Sequence, residues 1–300
     1  MRLVIALGGN ALLKRGEPLT AENQKRNMQA AAQSLAHACD GNEVALVHGN
    51  GPQVGLLALE AEAYRGVPPY PLDLLGAESQ GMIGYVIAQA LRNERPQREI
   101  AALLTRIRVD PGDSAFEHPT KPIGPVYGAL EAESLRAAHG WSFAADGDGM
   151  RRVVASPRPV EIIELPVIGR LMDAGVVTVC AGGGGIPVRA LPGGAHDGIE
   201  AVIDKDLAAA LLAQRLRAER LVILTDVDAV YLGWRTARQQ PLRRIRAADL
   251  QLHCFAEGSM APKVEAACQF ALDTGRPAVI GALSQAFAVV AGEAGTEVLP

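Results

Sequence analysis

The sequence predicts an α/β fold built on a parallel sheet with helices on both faces. Three observations carry this. Short unbroken apolar runs recur along the 300 residues and end at glycine or aspartate turns, as buried parallel strands do. Helical stretches separate these runs, the alternation of βα units. The apolar 49 % is dominated by Ala, Leu and Val, with only 5 Phe, 5 Tyr and 2 Trp, which suits small-residue packing of helices on a sheet.

The expected strands, in order, are LVIAL (3–7) ending at Gly8-Gly9-Asn10, EVALVH (43–48) ending at Gly49-Asn50-Gly51, and EIAALLTRI (99–107). GVVTVCA (175–181) then ends at Gly182–Gly185, RLVILTDV (220–227) ends near Asp228, and PAVIGAL (277–283) lies near the C-terminus. Helices are expected over 21–38, 74–93, 166–174, 199–218 and 260–274. Residues 112–159 break the alternation. They are rich in Pro, Gly and charge, and hold HPTKPIGP, a short helix candidate EAESLRAAHG and the turn-rich DGDGMRR. This reads as a small insert projecting from the sheet, a lid that delivers the cation of Lys121.

The net charge of 29 − 33 = −4 gives no electrostatic case for a nucleic-acid partner. Cys39, Cys180, Cys254 and Cys268 lack metal or redox spacing and read as small hydrophobes in a reducing compartment. The N-terminal apolar run stops after five residues, too short for a signal peptide, and no run is long enough to span a bilayer. A cytoplasmic protein is expected.

Asp204-Lys205-Asp206 is the most informative tripeptide, because it stands at the start of a strongly apolar helix. A helix start offers free N–H groups and partial positive charge to an anion, a Lys adds a full cation, and an adjacent acid can hold that Lys. Glycine turns at the carboxyl ends of parallel strands let backbone approach ligand oxygens closely. Asn10 and Asn50 add amide donors there. Together these features point to phosphoryl transfer. After the strand that ends in LTDVDAVY, Asp226, Val227 and Tyr231 are candidates to contact a nucleotide base. Gly258-Ser259-Met260 precedes a helix with Ser259 as expected N-cap. Lys263 then falls in the first turn, where a cation opposes the dipole unless an anion sits there too. The P-loop pattern is absent. Gly49, Gly51 and Gly55 are one residue too long for a dinucleotide fingerprint, Pro52 interrupts them, and Asp73 follows a Pro-rich loop instead of ending a second strand. His48 and the other histidines show no metal spacing and read as structural.

These segments together resemble the carbamate kinases of the amino acid kinase family. The matching residues are ALGGNALL (6–13), HGNGPQVG (48–55), SQGMIGY (79–85), VDPGDSAF with PTKPIGP (109–125) and SPRP (156–159). GGGGIPV (182–188), GIEAVIDKDLAA (198–209), LTDVDAV (224–230) and GSMAPKVEAA (258–267) complete the order. The resemblance implies a three-layer α/β/α sandwich with a mostly parallel central sheet, a protruding subdomain, and a homodimer. It implies reversible, Mg²⁺-dependent phosphoryl transfer between ATP and carbamate, giving ADP and carbamoyl phosphate, run toward ATP in fermentation. By motif position Lys121 resembles the subdomain lysine that reaches the transferred phosphoryl. Lys205 and Lys263 resemble the two lysines of the nucleotide half, and Asp206 the acid that organises them. Gly8, Gly9, Asn10, Gly49, Asn50 and Gly51 resemble the loops around carbamate and the γ-phosphoryl. No protein ligand for the metal is implied; Mg²⁺ is expected on the nucleotide phosphates. Most amino acid kinases carry a Lys before the first Gly pair; Ala6-Leu7 here matches carbamate kinases and favours Lys121 supplying that charge. The loop RGEPLTAENQ and the insert core GALEAESLRAAHGWSFAADGDGM match no motif, and LLGAESQ fits loosely. Rival readings are a kinase for another small acid, a non-catalytic nucleotide-binding regulator, and a dinucleotide enzyme.

Overall fold

The computed structural model describes residues 1–8, 12–14, 16–64, 66–255 and 260–300. Strand β1 (Arg2–Leu7) is followed by α1 (Ala21–Cys39), β2 (Glu43–His48), α2 (Gly51–Ala63), α3 (Leu72–Glu94), β3 (Ile100–Ala102) and β4 (Arg106–Val109). Next come β5 (Lys121–Tyr127), α4 (Ala129–His139), β6 (Ser142–Asp146) and β7 (Gly149–Val154). β8 (Pro159–Ile162), α5 (Leu165–Asp173), β9 (Val177–Val179), β10 (Ile186–Ala190), β11 (His196–Gly198), α6 (Lys205–Arg215) and β12 (Arg220–Thr225) continue. The chain closes with β13 (Val230–Leu232), β14 (Gln240–Leu242), β15 (Arg244–Arg246), α7 (Ala247–Leu250), α8 (Ala261–Thr274), β16 (Ala278–Ala282), α9 (Ala286–Ala291) and β17 (Thr296–Leu299).

The main sheet has the order β15-β17-β16-β12-β1-β2-β9-β3, and every pairing in it is parallel except β16 with β17. Alternation along its strands builds two cores, because successive side chains point to opposite faces. Val4, Ala6, Ala45, Val47 and Ile223 pack against residues of α6 and α8 on one face. Leu3, Ile5, Leu7, Val44 and Leu46 pack against α1, α3 and α9 on the other. The result is the expected α/β/α layering around a mostly parallel sheet. α1 shows how local sequence sets an element. The Thr20 hydroxyl oxygen accepts from the Asn23 N–H at 3.2 Å as N-cap, and Met28, Ala31, Ala32, Leu35 and Ala36 fall on one buried stripe.

Three local expectations change. EIAALLTRI is not one strand: β3 joins the main sheet, while β4 joins a second sheet ordered β11-β10-β4-β8. Thr105 lies between them and its backbone serves the site, donating to Gln80 Oε1 at 2.9 Å and accepting from the Ile186 N–H at 2.8 Å. The helix expected from residue 199 starts at Lys205, because 199–204 run extended, with the Val202 N–H donating to the Ala155 carbonyl at 2.9 Å. Residues 51–63, with two glycines and a proline, form α2. Cys39, Cys180 and Cys268 are buried as expected, whereas Cys254 is exposed.

β5, β7 and β6 form a separate three-stranded antiparallel sheet carrying α4. Ile123 and Val154 seat it on Val54 and Ala58 of α2 and Leu72 and Leu75 of α3. At Gly55 the contact is backbone on backbone: a Cβ there would lie 2.0 Å from the Gly124 Cα. Gly124 itself has φ +72°. Among the described residues no helix is long and apolar enough to cross a membrane.

Candidate active site

Four loops leave the carboxyl ends of parallel strands on one edge of the main sheet: Gly8 after β1, Gly49–Gly51 after β2, Gly182–Gly185 after β9 and Thr225–Asp228 after β12. This is the edge where ligands bind in open α/β folds. The segment Gly182–Gly185 is its spacer. Gly183, Gly184 and Gly185 have φ of +65°, +91° and +92°, a region that suits glycine. A Cβ on Gly182 would lie 2.2 Å from His48 Nε2, one on Gly183 2.2 Å from Asn50 Nδ2, and one on Gly184 2.2 Å from the Ile203 carbonyl oxygen. The loop therefore joins the end of β2 to the residue preceding Asp204 with no room for side chains. Gln80 holds it from α3, its amide donating to the Gly182 carbonyl at 2.9 Å. The Thr105 hydroxyl accepts from the Ala181 N–H at 2.9 Å.

His48 is fully buried, and its Nδ1 lies 3.0 Å from the Gly49 carbonyl. Burial pushes its pKa down to about 4, so the ring is neutral at pH 7 and Nδ1–H is the donor. Asn50 is the N-cap residue of α2, and its amide donates to Ser79 Oγ at 2.8 Å. Gly51 follows at the first turn of α2, and a Cβ there would lie 4.0 Å from the Pro122 carbonyl, beside Lys121. Gly8 follows β1. Its N–H donates to the Leu224 carbonyl at 2.8 Å, so it contributes close approach and not a free donor.

The charged half centres on the start of α6. Asp204 Oδ1 caps the helix, accepting from the Asp206 N–H at 2.8 Å and the Leu207 N–H at 3.4 Å. Its Oδ2 accepts from Lys121 Nζ of β5 at 2.5 Å. Asp206, 2 % exposed, accepts from Lys205 Nζ on one oxygen and from Lys263 Nζ of α8 on the other, the latter at 3.3 Å. Three ammonium groups against two carboxylates leave a formal net charge of +1 among largely buried side chains. Burial alone would raise the pKa of Asp204, but Lys121 and Lys205 outweigh it and hold it at about 2. Asp206 is likewise held low, burial being overcome by Lys205 and Lys263. Burial lowers the pKa of Lys205, and Asp206 opposes that shift. A phosphoryl anion entering the cleft would act in the same direction as Asp206.

Asp226 and Val227 follow β12, with the Thr225 hydroxyl donating to Asp226 Oδ1 at 3.0 Å. The Tyr231 hydroxyl donates to Asp228 Oδ1 at 2.7 Å, and its ring is tilted against Trp234 at 5.2 Å. Met260 is the N-cap position of α8 and packs on the core. Gly9, Asn10 and Ser259 lie outside the described residues. Lys121, Lys205, Asp206 and Lys263 are thus brought together, and Gly49–Gly51 lie across the glycine segment from them. Sequence reasoning gave Asp204 no role beyond its place in the tripeptide, and it left Gln80, Thr105 and Gly182–Gly185 out of the site. The four-glycine run was the available signal for the last of these, since such a run at a strand end implies close backbone contacts.

The model of the amino acid kinase family matches residues 1–282. A carbamate kinase of Escherichia coli K12 is 53 % identical over 294 residues, covering 98 % of each chain. One of Haemophilus influenzae is 51 % identical over 299 residues, covering 99 % of this chain and 96 % of the relative. Among solved structures, a Giardia lamblia carbamate kinase bound to AMP-PNP superposes with a TM-score of 0.90 at 40 % identity, covering 99 % of this chain and 98 % of that one.

Proposed function

Because the chain belongs to the amino acid kinase family, with full-length carbamate kinases as its relatives, we propose that it transfers a phosphoryl group between ATP and carbamate. The observation that carries this reading is the convergence of Lys121, Lys205 and Lys263 on the Asp204–Asp206 pair. Phosphoryl transfer needs alignment of donor and acceptor oxygens and positive charge around the moving group. Carbamate is already an anion, so no general base is required. Its oxygen must approach another anion, and two unit charges about 4 Å apart repel by roughly 4 kcal/mol at an effective dielectric near 20. The three ammonium groups offset that repulsion, held in place before substrate arrives. Gly49, Asn50, Gly51 and the glycine segment form the small-substrate side, and Gly8, Gly9 and Asn10 belong with them. Asp226, Val227, Tyr231, Ser259 and Met260 form the nucleotide side.

Mg²⁺ neutralises phosphate charge when bound. Asp204 and Asp206 are both engaged by lysines, and among the described residues no group of three or more His, Cys, Asp or Glu is placed to hold a metal ion. The ion fits best on the nucleotide phosphates. Residues 112–159 act as the lid that carries Lys121. A homodimer is supported by the exposed stripe Leu74, Met82 and Tyr85 on α3. A cytoplasmic location and flux toward ATP belong to the same reading. The test is ATP formation from ADP and carbamoyl phosphate, with and without Mg²⁺, alongside a panel of small acids as phosphoryl acceptors from ATP. Metal-dependent ATP formation with carbamate preferred is expected. No turnover, or preference for another acid, contradicts the reading.

A further inference from the structure

Lys121 and Asp204 are 83 positions apart, one on the small sheet and one on the main body, yet they are paired at 2.5 Å. An N-cap aspartate needs only one oxygen for the helix. Here Oδ1 takes the Asp206 and Leu207 N–H groups, and the second oxygen of this 9 % exposed residue is taken by the lid lysine. We propose that Asp204 is a positioning residue: it holds the Lys121 ammonium at the cleft in the ligand-free protein and yields it to the phosphoryl group on binding. This rests on the phosphoryl-transfer reading above.

The asymmetry of the two carboxylates supports the exchange. Both oxygens of Asp206 are engaged by lysines of the main body, Lys205 and Lys263. Asp204 is the carboxylate paired with Lys121, and it keeps its helix-cap hydrogen bonds when Lys121 moves away. Without its charge, Lys121 would face Lys205 and Lys263 with no carboxylate of its own, and like charges would drive it outward. The Lys121–Asp204 pair is the ion pair that β5 itself makes with the body among the described residues; without it β5 is held by packing at Ile123 and the Gly55–Gly124 contact, and through β7 by Arg152–Glu200. An arriving phosphoryl group, with more than one negative charge, is the stronger partner for the ammonium.

Asp204→Asn separates this role from capping, because Asn caps as well as Asp but carries no charge. Three variants decide it: Asp204→Asn, Lys121→Ala and the double variant, each assayed for ATP formation and for deuterium uptake of β5 without ligand. Expected for Asp204→Asn is a kcat loss of about tenfold, with thermal midpoint kept and ADP affinity within about twofold. The double variant should match Lys121→Ala, and β5 uptake should rise in all three. Wild-type kcat in Asp204→Asn, the same fold loss in both backgrounds, or unchanged β5 uptake would each overturn the proposal. Lys121→Ala leaves the cap untouched, so its β5 uptake carries the test if the Asn variant misfolds. A wild-type protein that forms no ATP contradicts the phosphoryl-transfer reading alone; β5 uptake then decides the pairing by itself.

Discussion

The two halves of the lysine cluster are built differently. Lys205 and Lys263 sit on α6 and α8, which pack on one another in the main body, and their side chains are 11 % and 14 % exposed. Lys121 begins an edge of the small sheet and is 28 % exposed, tethered by Asp204 across the cleft. The first pair is fixed by a hydrophobic core, whereas the third cation is fixed by its ion pair with Asp204 and by the packing of the small sheet on α2 and α3. In the proposed mechanism the body lysines are permanent charge, and Lys121 is the charge carried by the lid.

The sharpest way to break this comparison is to remove one cation from each half. Lys205→Ala should lower kcat on the order of 10²–10³, as for other preorganised charge stabilisers. Steady-state assays with near-normal kcat in a well-folded variant would remove Lys205 from the mechanism. Lys121→Ala should lower kcat by about the same order while ADP affinity, read by calorimetry, stays within about threefold. Lost ADP binding with unchanged turnover would assign Lys121 to the nucleotide and not to the lid.

Next in size is the glycine segment between the halves. Gly184→Ala places a Cβ 2.2 Å from the Ile203 carbonyl in a residue at φ +91°. Backbone must shift just before Asp204, so turnover should fall about tenfold or more, with about 1–3 kcal/mol lost in denaturant unfolding. An active, equally stable variant would show that the segment does not set the spacing.

The last effect falls on stability alone, through pH. The folded pKa of His48 is lowered to about 4 against about 6.5 unfolded, so the unfolded chain binds its proton first as pH drops. The stability this group contributes is present above about pH 6.5 and is lost as pH falls toward 4, by about 3 kcal/mol in all. His48→Gln should flatten that slope in urea titrations at pH 7 and 4.5. Asp204, held at about 2, contributes stability that is fully present above the ordinary carboxylate range near pH 3.9 and is lost progressively as pH falls from there through about 2. Asp204 therefore stays ionised through the whole His48 window.

Much of this was legible in the sequence. Central strands such as LVIAL and RLVILT read clearly because both faces are buried and the apolar run is continuous. Lys205, Asp206 and Lys263 read clearly because charge at the start of an apolar helix needs a reason. α2 was hidden because Gly51, Pro52 and Gly55 look like turn residues. Pro52 stands in the first turn, where its missing N–H costs nothing, and Gly55 is there to admit Gly124. The break at Thr105 was hidden because no local signal marks a residue whose backbone bonds to α3 and β10. The Lys121–Asp204 pair depends on tertiary approach over 83 positions, which neither periodicity nor capping rules contain.

The central claim is the proposal that three ammonium groups, one from the small sheet and two from helices of the main body, serve one migrating phosphoryl group. A crystal structure with a non-hydrolysable ATP analogue and Mg²⁺ tests it most directly. The account predicts the nitrogens of Lys121, Lys205 and Lys263 within about 3 Å of γ-phosphoryl oxygens or of the oxygen bridging to them. Nucleotide bound elsewhere, or a γ-phosphoryl group out of reach of these lysines, would contradict it.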